Sequence, residues 1–237
     1  MSTTLSSQLQ GRHIIVTGGF GALGRALGAV LAERGARVAL LDVAEPPAGL
    51  QPNARLLLRG GVDLNDGAAS VAAFDAAADV LGGVDALVNV AGGFAWETLS
   101  GGSVATWDRM YEMNLRTAVI GAQAVLPHLK ARGAGRIVNI GALASQKAGG
   151  GMGAYAAAKA GVARLTEALA EELKGDAITV NAVLPSIIDT PANRAAMPDA
   201  DCTRWVSPQA LAGVIAFLLS DEGAPITGAC LPVAGRV

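Results

Sequence analysis

The chain has 237 residues, of which 51% are hydrophobic, 16% charged and 4% aromatic, with a formal net charge of −2. That length suits one large α/β domain with a substantial core, and the near-neutral charge excludes an electrostatic pull toward nucleic acid or an anionic membrane. Cys202 and Cys230 show neither metal-ligand spacing nor a disulfide framework, which fits a reducing cytoplasm, and neither the polar Met1–Gln10 nor the short apolar Ala210–Leu219 reads as a signal peptide or membrane span.

Met1–Gln10 is expected to be disordered. His13–Thr17 is a short β-branched run followed by glycines and reads as the first strand. Ala22–Arg34 has helical spacing and stops at Gly35. Arg37–Asp42 is the second strand, Ala44–Asn53 with its three prolines a loop, Arg55–Leu58 the third strand and Ala68–Leu81 a helix. Val84–Val90 is strand four. A glycine-rich loop, Ala91–Ser103, leads into a long helix over Val104–Ala131. Arg136–Ile140 is strand five, Ala154–Lys174 a helix ending before Gly175, and Ala177–Leu184 strand six. Ser207 and Pro208 read as an N-cap and first helical residue. Ala229–Val233 is the last strand, and Pro232 places it at a sheet edge or at the strand's end. Strands that alternate with helices and read as continuous apolar runs predict a Rossmann-type doubly wound parallel sheet of about seven strands. A single domain spans 1–237. Ligands then bind at the carboxyl ends of the strands, at the switch point.

Two features of this pattern carry chemistry. Thr17-Gly-Gly-Phe-Gly-Ala-Leu-Gly24 joins a strand to a helix, and glycines there let the backbone turn tightly and approach a pyrophosphate on the helix N-terminus. Asp42 ends strand two, 18 residues after Gly24. A carboxylate there accepts the ribose hydroxyls of adenosine and repels a 2′-phosphate. No Arg or Lys in Gly18–Leu23 offsets that repulsion, so NAD is expected over NADP. Further along, Tyr155 and Lys159 stand just over one helical turn apart and point the same way. An ammonium beside a phenol favours phenolate and lowers the tyrosine pKa from about 10, giving a proton donor and acceptor near neutral pH. A packed tyrosine beside an exposed lysine is the bland alternative; the nucleotide-binding first half tips the balance toward chemistry.

Thr17–Gly24, Asp63-Leu64, Asn89-Val-Ala-Gly92, Asn114, Tyr155-x-x-x-Lys159 and Asn181-Ala-Val-Leu-Pro185 followed by Thr190-Pro191 together resemble the classical short-chain dehydrogenase/reductase family, over roughly His13–Gly235. The resemblance implies an NAD(P)-dependent oxidoreductase that moves hydride between nicotinamide and a small carbonyl or alcohol substrate. Tyr155 would be the acid/base, Lys159 would bind the nicotinamide ribose, and Asn114 would hold a proton-relay water near Lys159. Gly18, Phe20, Leu23 and Gly24 would form the phosphate turn. Asp63 would contact the adenine amine, with Leu64 beside it. Asn89, Ala91 and Gly92 would stabilise strand four and line the cofactor, and Pro185, Ile188 and Thr190 would seat the nicotinamide carboxamide. Residues 186–206 would cap the substrate. The family builds a dimer interface from its long helix and its tyrosine helix. Small residues on both, Ala118, Gly121, Ala157 and Gly161 among them, imply a homodimer or homotetramer.

The chain departs from the family pattern in three places. Ala22 stands where the phosphate turn has its second glycine. Pro185-Ser186 replaces Pro-Gly, which stiffens the loop after strand six. Ala142 stands at the catalytic serine, removing a donor to the substrate oxygen worth roughly 3 kcal/mol of transition-state stabilisation. Ser145 nearby is a candidate replacement. The stretch from Leu184 through Asp189-Thr-Pro-x-Asn-Arg194 to Trp205 also resembles quinonoid dihydropteridine reductase, a branch that likewise carries alanine at that position. Phe94, Met152, Ile187 and Trp205, with Trp96 and Met197, come from loops at the strand carboxyl ends and are candidates for an apolar substrate pocket. Arg194 is open between a substrate anion and a salt bridge. His13 and His128 are isolated, and no metal site is expected. Two alternatives to a carbonyl/alcohol enzyme stand: a quinonoid dihydropteridine reductase-like enzyme, and a nucleotide-binding sensor or scaffold that lost turnover with its serine.

Overall fold

The computed structural model describes residues 8–237. Of the stretch expected to be disordered, residues 1–7 lie outside the described residues. Gln8, Leu9 and Gln10 instead form a turn, because Leu9 is fully buried and its N–H donates to the Arg34 carbonyl at 3.1 Å.

Seven strands form one sheet: β1 (His13–Thr17), β2 (Arg37–Leu41), β3 (Leu56–Arg59), β4 (Ala86–Asn89), β5 (Gly135–Ile140), β6 (Ile178–Pro185) and β7 (Cys230–Val233). Their order is β3-β2-β1-β4-β5-β6-β7, with every pairing parallel. The helices are α1 (Ala22–Glu33), α2 (Gly67–Leu81), α3 (Val104–Tyr111), α4 (Thr117–Arg132), α5 (Gly153–Glu172), α6 (Pro191–Ala196) and α7 (Pro208–Leu219). Period-2 alternation divides the strand side chains between two cores. Ile14, Val16, Leu40 and Val88 pack with Leu27 of α1 and Ile215 of α7. Ile15, Leu41, Leu87 and Ile137 pack with Phe74 of α2 and Leu169 of α5. Both faces are covered, which is why the strands read as unbroken apolar runs. Burying each such Leu or Ile contributes roughly 1.5–3 kcal/mol.

Strand order reverses between β1 and β4, where Thr17 pairs with Asn89. The chains leaving those two carboxyl ends diverge and open a crevice. β7 lies at the sheet edge, where Pro232 costs no ladder bond to a further strand. β2 ends at Leu41, one residue before the expected end, and Asp42 just beyond it donates its N–H to Arg59 O at 3.1 Å. The long helix is not uniform: a five-residue π-turn, Glu112–Arg116, separates α3 from α4. α7 begins as its sequence indicates, with Ser207 Oγ accepting the Ala210 N–H at 3.1 Å. α6 forms inside the stretch expected to be loop, because Thr190 Oγ1 accepts the Asn193 N–H at 3.2 Å and Pro191 starts the first turn. Among the described residues no helix is long and apolar enough to cross a membrane.

Candidate active site

The β1–α1 turn is packed too tightly for side chains. Gly18 has φ +62°, and a Cβ there would lie 2.7 Å from the Ala91 nitrogen. A Cβ at Gly24 would collide with the Gly18 carbonyl. Glycine alone lets α1 close on the turn and the turn close on the β4–α3 loop. Gly21 is the N-cap of α1, and no side chain caps this helix. Its first-turn N–H groups therefore stand uncapped at the positive end of the helix dipole, the donor set that an anionic diphosphate requires. Ala22 is half-buried at the start of α1, and its methyl group is accommodated there. Buried Leu23 and half-exposed Asp42 flank this cradle, and the Phe20 N–H donates to Asp42 Oδ2 at 2.9 Å. The Ala44 N–H donates to Asp42 Oδ1 at 3.0 Å. The carboxylate is thus pinned against the turn, with lone pairs left for hydroxyl donors.

The Val62 N–H donates to Asp42 O at 2.9 Å, which sets Asp63 beside this carboxylate. Asp63 is exposed, and its Oδ1 accepts the Asn65 N–H at 2.9 Å. Leu64, expected beside the cofactor, has its side chain buried in the core beneath α2. Thr17 Oγ1 accepts the N–H groups of Val90 and Ala91 at 3.2 and 3.3 Å and ties the ends of β1 and β4 together. Asn89, expected to line the cofactor, is buried. Its amide donates to Asn139 Oδ1 at 2.9 Å, and the Asn139 amide donates to Thr166 Oγ1 at 2.9 Å. This polar chain joins β4 through β5 to α5. Asn139 and Thr166 lie outside the sequence motifs above, although an amide inside the apolar run of β5 marks Asn139.

Asn114 lies in the π-turn and is 1% exposed. The extra residue of such a turn rotates a side chain out of the ordinary helical face. Its amide donates to Met110 O at 3.0 Å, and its Oδ1 accepts the Gly93 N–H at 3.1 Å. A Cβ at Gly92 would lie 2.7 Å from Asn114 Oδ1 and 3.4 Å from Lys159 Nζ, so this glycine keeps the gap between amide and ammonium free of a side chain. Lys159 is 4% exposed, and Nζ donates to the Ile140 carbonyl at 2.7 Å. Nζ lies 5.9 Å from the centroid of the Tyr155 ring. Phe94 meets that ring edge-on, with centroids 5.0 Å apart.

Burial pushes the Tyr155 phenol up to about 12 and the Lys159 ammonium down to about 8. The depression of Tyr155 expected from its neighbour is therefore not found in the free site. The ammonium is turned to the Ile140 carbonyl, and loss of hydration of the phenolate outweighs the attraction across the ring. At pH 7 Tyr155 is a neutral phenol able to donate a proton, and Lys159 is mostly charged.

On the substrate side, Ala142 is buried just beyond β5 and carries no donor. Ser145, the candidate replacement, lines a cleft of about 360 Å³ together with Gly161, Arg164, Leu184 and Cys230. Trp96 Nε1 donates to Gly150 O at 2.9 Å, and a Cβ at Gly151 would strike the indole. Trp96 thus clamps the glycine loop before α5. Met152 is the residue preceding α5. Pro185 is buried at the end of β6, Ile188 packs on the core, and Trp205 is partly exposed. Ile187 O accepts the Val206 N–H at 3.0 Å, and the Asp189 N–H donates to Val206 O at 2.8 Å. Arg194 is committed to an ion pair: its Nε and Nη2 donate to Asp189 at 2.6 and 2.8 Å. That pairing holds the Asp189 carboxyl below its usual range.

A family model described as short chain dehydrogenase matches residues 12–201. A 3-oxoacyl-(acyl-carrier-protein) reductase of Vibrio cholerae is 33% identical over 239 residues, covering 96% of this chain and 97% of the relative. A D-xylose 1-dehydrogenase of Caulobacter vibrioides is 32% identical over 238 residues and covers 96% of both chains. Among solved structures, carveol dehydrogenase from Mycobacterium avium in complex with NAD superimposes with a TM-score of 0.86 at 28% identity, covering 97% of this chain and 98% of the other.

Proposed function

The chain belongs to the short-chain dehydrogenase family and is an NAD(P)-dependent oxidoreductase, and from that premise we propose that Tyr155 is its acid/base, acting on a small carbonyl or alcohol substrate with NAD preferred. The observation that carries this reading is the convergence of Tyr155, Lys159, Gly92 and Asn114 next to the uncapped turn of α1. The bound dinucleotide supplies or accepts the hydride. The Gly18–Gly24 turn would hold its diphosphate, Asp42 its adenosine ribose, Lys159 its nicotinamide ribose, and Ile188 and Thr190 its carboxamide. In the reducing direction the neutral Tyr155 phenol donates its proton to the substrate oxygen; in the oxidising direction the phenolate takes it back. Lys159, anchored on the Ile140 carbonyl, stabilises the phenolate as it develops, and Asn114 across Gly92 holds the relay that restores the proton. With Ala142 at the serine position, Tyr155 is the one side-chain donor left from the family's pair. Phe94, edge-on to Tyr155, presents an apolar wall to the substrate.

The cofactor preference rests on Asp42, which faces the turn and, among the described residues, forms no ion pair. NADH is expected to bind at least about tenfold more tightly than NADPH, since a carboxylate and a phosphate at close range repel by several kcal/mol before solvent screening. Asp42→Asn keeps an acceptor for the Phe20 N–H and should narrow the gap. Calorimetric titration with both nucleotides checks this, and a preference for NADPH in the unmodified protein overturns it.

Assembly is proposed to be a homodimer or homotetramer, working in the cytoplasm, where the unpaired Cys202 and Cys230 stay reduced. α3 carries Val104, Trp107 and Tyr111 at helical spacing, and all three side chains are exposed in the single chain. On α5, Gly153 and Gly161 already lie against Trp107 and Leu115 of the same chain, so a second copy would meet the exposed side chains of α3 and not these glycines. A second copy covering this surface would remove aromatic area from water. Light scattering is expected to report a dimer or larger; a stable monomer at micromolar concentration contradicts it. The pteridine and sensor alternatives gain no support from relatives that are named for carbonyl reduction and sugar oxidation.

A further inference from the structure

Residues 186–206 leave the sheet at the end of β6 and return to it at α7. The stretch closes its own base through Ile187, Asp189 and Val206, and it folds its own interior around α6 and the Asp189–Arg194 pair. Apart from Ile188 and Val206, which pack on the core, its connection to the rest of the protein is narrower. Among the described residues, every hydrogen bond that leaves 186–206 for another part of the chain ends on Val233, Ala234 or Arg236. At the start of the stretch, the Ser186 N–H donates to Val233 O at 3.2 Å and Ser186 Oγ to Ala234 O at 2.6 Å. At its end, the Arg236 N–H donates to Arg204 O at 3.0 Å, Arg204 Nε to Arg236 O at 2.9 Å, and Arg236 Nη2 to Thr203 O at 2.7 Å. Gly235 makes the close approach possible: its φ is +64°, and a Cβ there would lie 2.8 Å from Arg204 O. The Oγ bond exists because serine follows Pro185 in this chain; glycine at that place has no hydroxyl to donate.

We propose that the segment after β7 is a strap that sets the pose of residues 186–206 over the nicotinamide end of the site, with Ser186 and Arg236 as its positioning residues. The inference rests on the reading above, in which Ile188 and Thr190 of this stretch seat the carboxamide. Ser186 holds the departing strand and Arg236 the returning turn, so the two anchors fix the stretch at both ends. Neither residue lies in the turn of α1 or beside Asp42. The strap therefore acts on the nicotinamide half of the cofactor and not on the adenosine half.

ADP-ribose, which lacks the nicotinamide, separates the two halves. Arg236→Ala removes the one side-chain bond, to Thr203 O, and is expected to weaken NADH binding about tenfold, the equivalent of one hydrogen bond from a charged donor. Ser186→Gly should weaken it by about threefold, and ADP-ribose affinity should stay within about twofold in both. Arg236→Lys, which restores a donor for Thr203 O, should recover part of the loss. Trypsin cleavage after Arg194, whose side chain is 60% exposed, should accelerate in the same order. Ser186→Gly changes no apolar packing, so it keeps the test available if Arg236→Ala folds poorly. Unchanged NADH affinity and unchanged cleavage in both variants overturn the strap, as does a parallel loss of ADP-ribose and NADH binding. Thr190→Ala distinguishes the underlying reading. If it leaves NADH affinity untouched, the seating of the carboxamide fails, and the cleavage rate at Arg194 alone decides whether the strap holds the stretch.

Discussion

Tyr155→Phe is expected to lower turnover by about 10²–10⁴-fold for every substrate, while NADH affinity stays within about twofold. The phenol oxygen is what the substitution removes; the ring, its edge contact with Phe94 and the Lys159 bond to Ile140 all remain. Burial pushes the Tyr155 phenol up to about 12, so Tyr155 itself should add no pH dependence to the reducing direction through neutrality, and a fall in rate near pH 8 would belong to the Lys159 ammonium. The oxidising direction needs the phenolate and should rise with pH toward that value unless the bound cofactor lowers it. The stability consequence has a definite sign. A phenol whose folded pKa exceeds its unfolded value of about 10 contributes stability below pH 10, and that contribution is lost as pH rises toward 12. Tyr155→Phe should therefore flatten the alkaline limb of a thermal-melting profile. Steady-state kinetics in both directions check the activity, and full turnover in Tyr155→Phe would remove Tyr155 from the mechanism.

Ala142→Ser is the second large effect, and its direction depends on the substrate. For a simple ketone, the missing hydroxyl is a missing donor to the oxygen that becomes negative. Restoring it should raise turnover by up to on the order of a hundredfold, the inverse of removing one oxyanion donor. For a substrate whose acceptor is an extended ring, such as a quinonoid pteridine, Tyr155 suffices, and turnover should stay level or fall. Parallel assays of the variant on a ketone panel and on a quinonoid dihydropterin decide between them. A rise for neither class would mean that residue 142 does not meet the substrate oxygen.

The parts of this protein legible from sequence are those governed by local rules. Apolar runs with glycine ends forecast the strands, because a strand buried on both faces must be apolar throughout. The β1–α1 turn was readable because a positive φ at Gly18 and the closeness of Gly24 to the Gly18 carbonyl leave no room for other residues. Tyr155 and Lys159 were readable because one helical turn separates them. What a buried group touches is not local, and there the tertiary structure decided. Lys159 points to the Ile140 carbonyl and both groups lose hydration, so the Tyr155 pKa rises where sequence proximity alone predicts a fall. Asn89 turns to Asn139 inside the sheet, Leu64 joins the core, and Asn114 reaches Gly93 through a π-turn that helical periodicity does not reveal. The pairing of Ser186 with Ala234 and of Arg204 with Arg236 joins residues that are far apart along the chain. Such contacts are set by where the parallel sheet delivers its strand ends, and no periodicity within either segment records them.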